Sequence, residues 1–317
     1  MQPTARSLIL DLLSTVRRGS MPVRALVAAA DLFGIEENSL RVSLARLFAA
    51  GSVERDERGR YHLARAETPL KQQVLGWREL ESRMIDVWTG DWVAVIGAPE
   101  GRRGAGRRSA RALELLGFRA LRPGLSVRPD NVVGGVDSLR ERYLGLSAPT
   151  RSEAKRSATT TDAPPVVARL SEVAELDVER ARALWDVADL EHDYASLLVT
   201  LTESESRLDS LEPSDAMVES FLVGGRVLRA LNVDPMLPEP IVDATARRAL
   251  VEAMLRYDRV GRAKWSLFLA GFDAPYMQIR GDDPLQGASI ATDDVRGLEP
   301  MSGLEPMNGP APGERIH

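Results

Sequence analysis

The stretch from Glu37 to Ala64, ENSLRVSLARLFAAGSVERDERGRYHLA, carries five arginines, at positions 41, 46, 55, 58 and 60. Guanidinium groups at this density bind phosphate oxygens and base edges through charge-assisted, forked hydrogen bonds; they do not make or break bonds. Groups that do are scarce. The chain has no cysteine and three histidines, His62, His192 and His317. That excludes disulfide frameworks, thiolate metal sites and cysteine nucleophiles, and leaves little for a metal cluster. A second run, Arg102, Arg103, Arg107, Arg108 and Arg111, is suited to phosphate contacts with DNA, to the phosphates of a nucleotide-bearing ligand, or to plain solvation. The glycines of GRRGAGR form neither GxGxxG nor a P-loop pattern.

These basic zones sit in an acidic chain of 317 residues with net charge −5. Residues 1–65 hold ten arginines against seven acids, and Pro99–Arg128 holds eight against two, whereas residues 129–275 hold 17 basic against 25 acidic side chains. Local positive charge on a negative body is expected when one face meets phosphates and the rest keeps the protein in solution. The length and a 44% apolar composition allow two or three domains with sizeable cores. No apolar run approaches the roughly 20 residues needed to span a bilayer, so a cytoplasmic location is expected.

The elements that must position the first arginine group follow from periodicity. Leu8, Leu12, Leu13 and Val16 mark a helix from Thr4, as N-cap, to Arg18. Pro22 suits the first turn of a second helix, Val23 to Leu32. A third, capped by Asn38 or Ser39, buries Leu40, Leu44, Leu47 and Phe48 and turns Ser39, Arg41, Val42, Ser43 and Arg46 outward. Ser52–Asp56 and Arg60–Ala64 alternate as strands around a Glu57-Arg58-Gly59 turn. Three helices and a hairpin make a winged helix-turn-helix over residues 1–66, with Arg55, Arg58 and Arg60 on the wing. Such a unit places one helix in the major groove of double-stranded DNA and the wing on the neighbouring backbone.

RSLILDLL, VRALVAAADLFGIEENSLRVSLARLFAAGSVERDERGRYHLA and, further on, WTGDWVAVIGAPEGRRGAGRRSARALELLGFRALRPGLSVRPDN resemble the PaaX family of bacterial transcriptional repressors. RALWDVADLEHDYASLLVTL and MVESFLVGGRVLRALNVDPMLPEP extend the resemblance to about residue 270. The resemblance implies operator DNA bound by a homodimer, repression of a catabolic operon, and release by an acyl-CoA such as phenylacetyl-CoA or a related aromatic acid. It also implies a central domain similar to a small CRISPR-associated endoribonuclease. Such nucleases hold a metal with a carboxylate ending their first strand. Here Ile96-Gly97-Ala98 stands there, with no acid before Glu100. The Trp-Pro-Gly expected after Asp234-Pro235-Met236-Leu237-Pro238 is replaced by IVDATAR.

Read from its residues, the central part (67–174) has strands at Trp92–Ala98, Ala120–Val127 and Val166–Val173. Helices at Gly106–Leu116, with Ala110, Leu113 and Leu116 inward, and at Ser138–Leu146 complete a ferredoxin-like β-α-β-β-α-β sandwich. Residues 147–165 are rich in Pro, Ser and Thr and predict a flexible loop. A helical region follows (175–273), with Leu184, Val187, Ala188, Tyr194 and Leu198 inward and a long helix at Asp215–Leu231. It is expected to dimerise, and a chain ending near Val173 is expected to keep its first two parts folded. Arg107, Arg108, Trp185, His192, Tyr194, Arg226 and Arg229 are the candidate effector contacts, Trp185 and Tyr194 also suiting a core. Residues 274–317, with GLEPMSGLEPMNGP, predict a disordered tail. The fold expected is thus a multidomain α+β chain. Its task is binding, with no resident cofactor or metal; the alternative, a metal-dependent nuclease, lacks a carboxylate or His/nucleophile constellation.

Overall fold

In a computed structural model the chain is described over residues 2–15, 20–64, 76–149 and 164–274. It is a mixed α/β protein with two small antiparallel sheets and several helices. Residues 150–163 of the loop expected at 147–165, residues 275–317 of the tail expected at 274–317, and Val16 to Arg18 lie outside the described residues.

Helix α1 (Ala5–Thr15) starts at a reciprocal cap: Ser7 N–H donates to Thr4 Oγ1 (3.2 Å) and Thr4 N–H to Ser7 Oγ (3.0 Å). Its Leu8, Ile9, Leu12 and Leu13 are buried against α2 (Val23–Asp31) and α3 (Glu37–Ala49). Strands β2 (Val53–Arg55) and β3 (Arg60–Leu63) form the expected hairpin. Sequence reading missed a third strand, β1 (Ser20–Pro22), which pairs antiparallel with β3 and gives the order β1-β3-β2. Pro22 therefore ends a strand and caps α2 rather than opening its first turn. Its three residues are too few for alternation to show. α3 is led by Glu36, not by Asn38 or Ser39, which lie inside the helix. Phe48, expected inside, is 52% exposed with its ring edge-on to Tyr61 at 6.4 Å, because β3 supplies a partner on the flank of the helix.

The central part runs β4 (Trp92–Ile96), α4 (Gly104–Leu115), β5 (Arg119–Arg122), β6 (Leu125–Pro129), α5 (Gly135–Ser147) and β7 (Val166–Leu170), with sheet order β5-β6-β4-β7, all antiparallel. The single strand expected at Ala120–Val127 is a hairpin turning at Pro123-Gly124. α4 buries Gly106, Ser109, Ala112 and Leu115; of the residues expected inward, Leu116 just past its end is buried, Leu113 is half-buried against the same core, and Ala110 is exposed. Small residues carry this contact, with Ser109 Oγ bonded to Tyr143 Oη at 2.9 Å, and they are invisible to a search for large apolar side chains. One sheet face, through Val93, Val95 and Val167, packs on α4 and α5. The other, through Trp92, Ala94 and Val127, packs on Ala181, Trp185, Leu237 and Val242.

Four further helices follow: α6 (Glu175–Arg182), α7 (Val187–Arg207), α8 (Pro213–Asn232) and α9 (Ala244–Ala270). Tyr194 is buried among them; Leu184, Val187 and Leu198 are half-buried and Ala188 is exposed, because α7 meets its neighbours one step round from the expected stripe, through Leu197 and Leu201.

Residues 1–278 form one compact unit. α8 and α9 enter the core of the N-terminal helices directly: Met217, Trp265 and Leu269 are buried in it, and Phe33 meets Phe221 at 5.0 Å and Trp265 at 6.4 Å. This packing speaks against the expectation that a chain ending near Val173 keeps its first two parts folded, since it would bare Phe33 and one face of the β4 sheet together.

Candidate nucleic-acid interface

Helix α3 buries Leu40, Leu44 and Leu47, spaced i, i+4, i+7, so its opposite side is set by the helical period. Asn38, Val42, Ala45 and Ala49 form the outermost strip, all exposed, with Val42 at 41%. Arg41 and Arg46 flank that strip about 140° apart, five residues at 100° each. Ser39 is exposed beside them and Ser43 is half-buried. Arg41 is held by Glu37, whose Oε1 accepts from Nε at 2.7 Å. Such an exposed pair is worth little and exchanges readily for a phosphate.

The hairpin turn is built by Asp56, whose Oδ1 accepts from the N–H of Arg58 (3.0 Å) and of Arg60 (2.8 Å). Gly59 takes φ +75°, which a side chain would strain. Arg58 thereby stands exposed at the tip, and Arg55 lies over the Tyr61 ring at 5.8 Å. Arg60 departs from its expected role. Its guanidinium donates to the Ser20 carbonyl (3.2 Å) and the Asp273 carbonyl (2.8 Å), and its side chain is only 16% exposed. It ties the wing to β1 and to the segment after α9, an engagement that strand alternation could not reveal.

Between α2, α3 and the hairpin lies an open cleft of about 740 Å³ lined by Arg24, Arg41, Arg55 and Arg58, against the carboxylates Asp31 and Glu37. Sequence reading missed Arg24. The signal was present: Arg24 is the exposed residue beside Ala25 and Leu26 on a helix that buries Ala25, Leu26, Ala29 and Ala30. Four guanidinium groups on three elements, facing one groove, can grip consecutive phosphates while the outer strip of α3 reads base edges.

The seven candidate effector contacts are scattered. Trp185 is buried against Trp92, rings stacked at 6.2 Å, in the core between sheet and helices. Tyr194 is buried in the helical core and donates to Asp234 Oδ2 at 2.7 Å; burial beside that carboxyl holds its hydroxyl far above its ordinary pKa. His192, Arg107, Arg226 and Arg229 are exposed, and Arg108 donates to the Ser147 carbonyl at 3.1 Å. None of the seven lines the arginine cleft or the small interior cavity among Arg83, Arg128 and Arg142. Of the arginine run, Arg102, Arg103 and Arg111 are also exposed, Arg111 pairing with Glu114 at 3.4 Å.

Among the described residues no group of three or more His, Cys, Asp or Glu side chains could hold a metal ion. Glu100, the first acid after β4, accepts the Gly124 N–H at 3.0 Å and so braces the β5–β6 turn. No helix among the described residues is long and apolar enough to cross a membrane.

The three helices, the hairpin and the cleft between them occupy the segment that a family of known proteins shares. Residues 4–66 match the model of the PaaX-like protein family. The segment, a PaaX-like module in this sense, is similar to a family that is generally one of transcriptional regulators. No curated protein matches the chain. Among solved structures, the chain is similar to the uncharacterized protein Rv0674 from Mycobacterium tuberculosis, with 23% identity, 83% of this chain and 99% of that one covered, and a TM-score of 0.50. That likeness concerns the fold alone, and it runs well beyond the PaaX-like module.

Proposed function

We propose that the protein is a DNA-binding transcriptional regulator whose PaaX-like module acts as a winged helix. In this reading α3 enters the major groove of double-stranded operator DNA, with Asn38, Val42 and Arg46 toward base edges, and the cleft of Arg24, Arg41, Arg55 and Arg58 grips the adjoining backbone. The observation that carries the reading is the cleft: it gathers four arginines beside a helix whose outer strip is exposed, in a chain that is acidic overall. The ferredoxin-like central part and the helical part serve as its frame and the place of regulation. As the family resemblance implies, the protein is a cytoplasmic homodimer acting as a repressor of a catabolic operon, released by an acyl-CoA or related aromatic acid. Release requires only that the effector bind better to a state that fits DNA poorly.

The test is capture of genomic fragments by the full chain, followed by mobility shifts across a salt series. Arg24→Ala and Arg58→Ala should each weaken all sequences alike and reduce the slope of log K against log salt by about 0.9, as loss of one phosphate contact requires. Arg46→Ala should cost about 1–3 kcal/mol on the captured site and little on random DNA. Unchanged slopes in both cleft variants would refute the interface.

A further inference from the structure

The chemistry of the outer strip of α3 limits which bases it can read. Asn38, Val42, Ala45 and Ala49 are all exposed, so the strip offers one carboxamide, three apolar side chains and no charge. Val42, at 41% exposed, is its unexpected member. A β-branched side chain loses rotamer freedom in a helix and gains nothing by facing water. The charged groups stand to either side. Arg41 lines the cleft and Arg46 lies on the opposite flank. Glu37, the one acid on this helix, is taken up by Arg41.

Each base shows its own pattern in the major groove. Guanine presents two acceptors, which call for a guanidinium or ammonium group, and the cytosine amine calls for a carboxylate. Adenine presents an acceptor beside a donor, which a carboxamide matches with two hydrogen bonds, and thymine carries a methyl group, which an apolar side chain covers. Only the adenine and thymine chemistries lie on the outer strip. At about 1.5 Å per residue, Asn38 to Ala45 spans about 10 Å. With base pairs about 3.4 Å apart, a helix lying along the groove covers about three steps over that length. Ala45 and Ala49 keep the surface low, so the helix can come close to the bases.

We propose that this strip selects an A·T-rich half-site of about four base pairs, in which Asn38 grips an adenine, Val42 and Ala45 cover thymine methyls, and Arg46 reaches a guanine only at the flank. The inference rests on the proposed function, in which α3 enters the major groove, and adds to it the class of sequence that the protein recognises.

The test begins with selection of random duplex DNA by the full chain and continues with mobility shifts in which single groups are removed from the selected site. The selected half-site should contain at least three consecutive A·T pairs. Uracil in place of thymine deletes only the methyl, and at each of two thymines it should weaken binding about fourfold, the worth of one buried methyl-sized group. Val42→Ala should lose the uracil effect at one of these thymines and keep it at the other. Substituting 7-deazaadenine for the contacted adenine removes the N7 acceptor and should weaken wild-type binding about tenfold while leaving Asn38→Ala unaffected. Both side chains are exposed, so neither replacement disturbs the core. A G·C-rich half-site, or an A·T run whose affinity is indifferent to uracil or to 7-deazaadenine, overturns this inference and leaves the winged-helix reading standing. Failure to select any sequence overturns both.

Discussion

Replacing Trp265 by Ala should destabilise the DNA-binding module from a position some two hundred residues away along the chain. Trp265 is 4% exposed, stacks on Phe33 of that module, contacts Phe221 and Phe268 at 6.0 and 5.8 Å, and donates its Nε1–H to the Met217 carbonyl at 3.1 Å. Truncating a fully buried tryptophan costs about 3–5 kcal/mol in lost transfer energy and cavity. For a cooperative unit of 278 residues the unfolding entropy is about 0.6 kcal/mol/K, so the thermal midpoint should fall by about 5–9 °C. Calorimetry gives the midpoint, and hydrogen exchange should show amides of α1–α3 losing protection along with those of α8 and α9. Leu267→Ala on the same helix, at a residue 85% exposed, is the control and should change stability by less than about 0.5 kcal/mol. A midpoint within about 1 °C of the wild type, or unchanged protection in α1–α3, would refute the shared core.

Gly117→Ala should cost about 2–4 kcal/mol, read by urea unfolding, because φ is +75° and a Cβ would lie 2.7 Å from the Pro235 carbonyl oxygen and 2.9 Å from its Cα. Arg60→Ala should lower stability by about 1–2 kcal/mol without changing the salt slope of DNA binding, since its donors serve Ser20 and Asp273; a slope reduced as in Arg58→Ala would return it to the interface. Burial raises the Asp234 carboxyl above its ordinary range despite Arg247 and the Tyr194 and Met236 hydrogen bonds. The folded state thus keeps this proton longer than the unfolded chain, and the Asp234 contribution to stability is greatest below the unfolded value and is lost as pH rises through the folded one. Asp234→Asn should flatten that part of the denaturant-midpoint profile above the ordinary carboxylate range, and an unaltered profile would show that another group titrates.

Much of the PaaX-like module was legible in the sequence because its signals are local. The Leu40, Leu44, Leu47 repeat, the Thr4 cap and the Glu57-Arg58-Gly59 turn each act within a few residues, and each element appears where those signals lie. The βα alternation of the central part was legible for the same reason. Local signals failed where a contact is made by small or paired residues: the inward face of α4 is Gly106, Ser109 and Ala112, and Phe48 is exposed because Tyr61 receives it from the side.

Long-range facts needed the tertiary structure. Composition and periodicity showed a chain without cysteine and with three histidines, its positive charge gathered in two places and one amphipathic helix offering arginines outward. They could not place Arg24 in the cleft with Arg58, withdraw Arg60 to Asp273, bury Trp185 against Trp92, or bring Arg83, Arg128 and Arg142 around one cavity. Each of these joins residues tens to hundreds of positions apart. An arginine has the same intrinsic chemistry at every position; whether it meets solvent, a carbonyl or another arginine is decided only when distant segments pack.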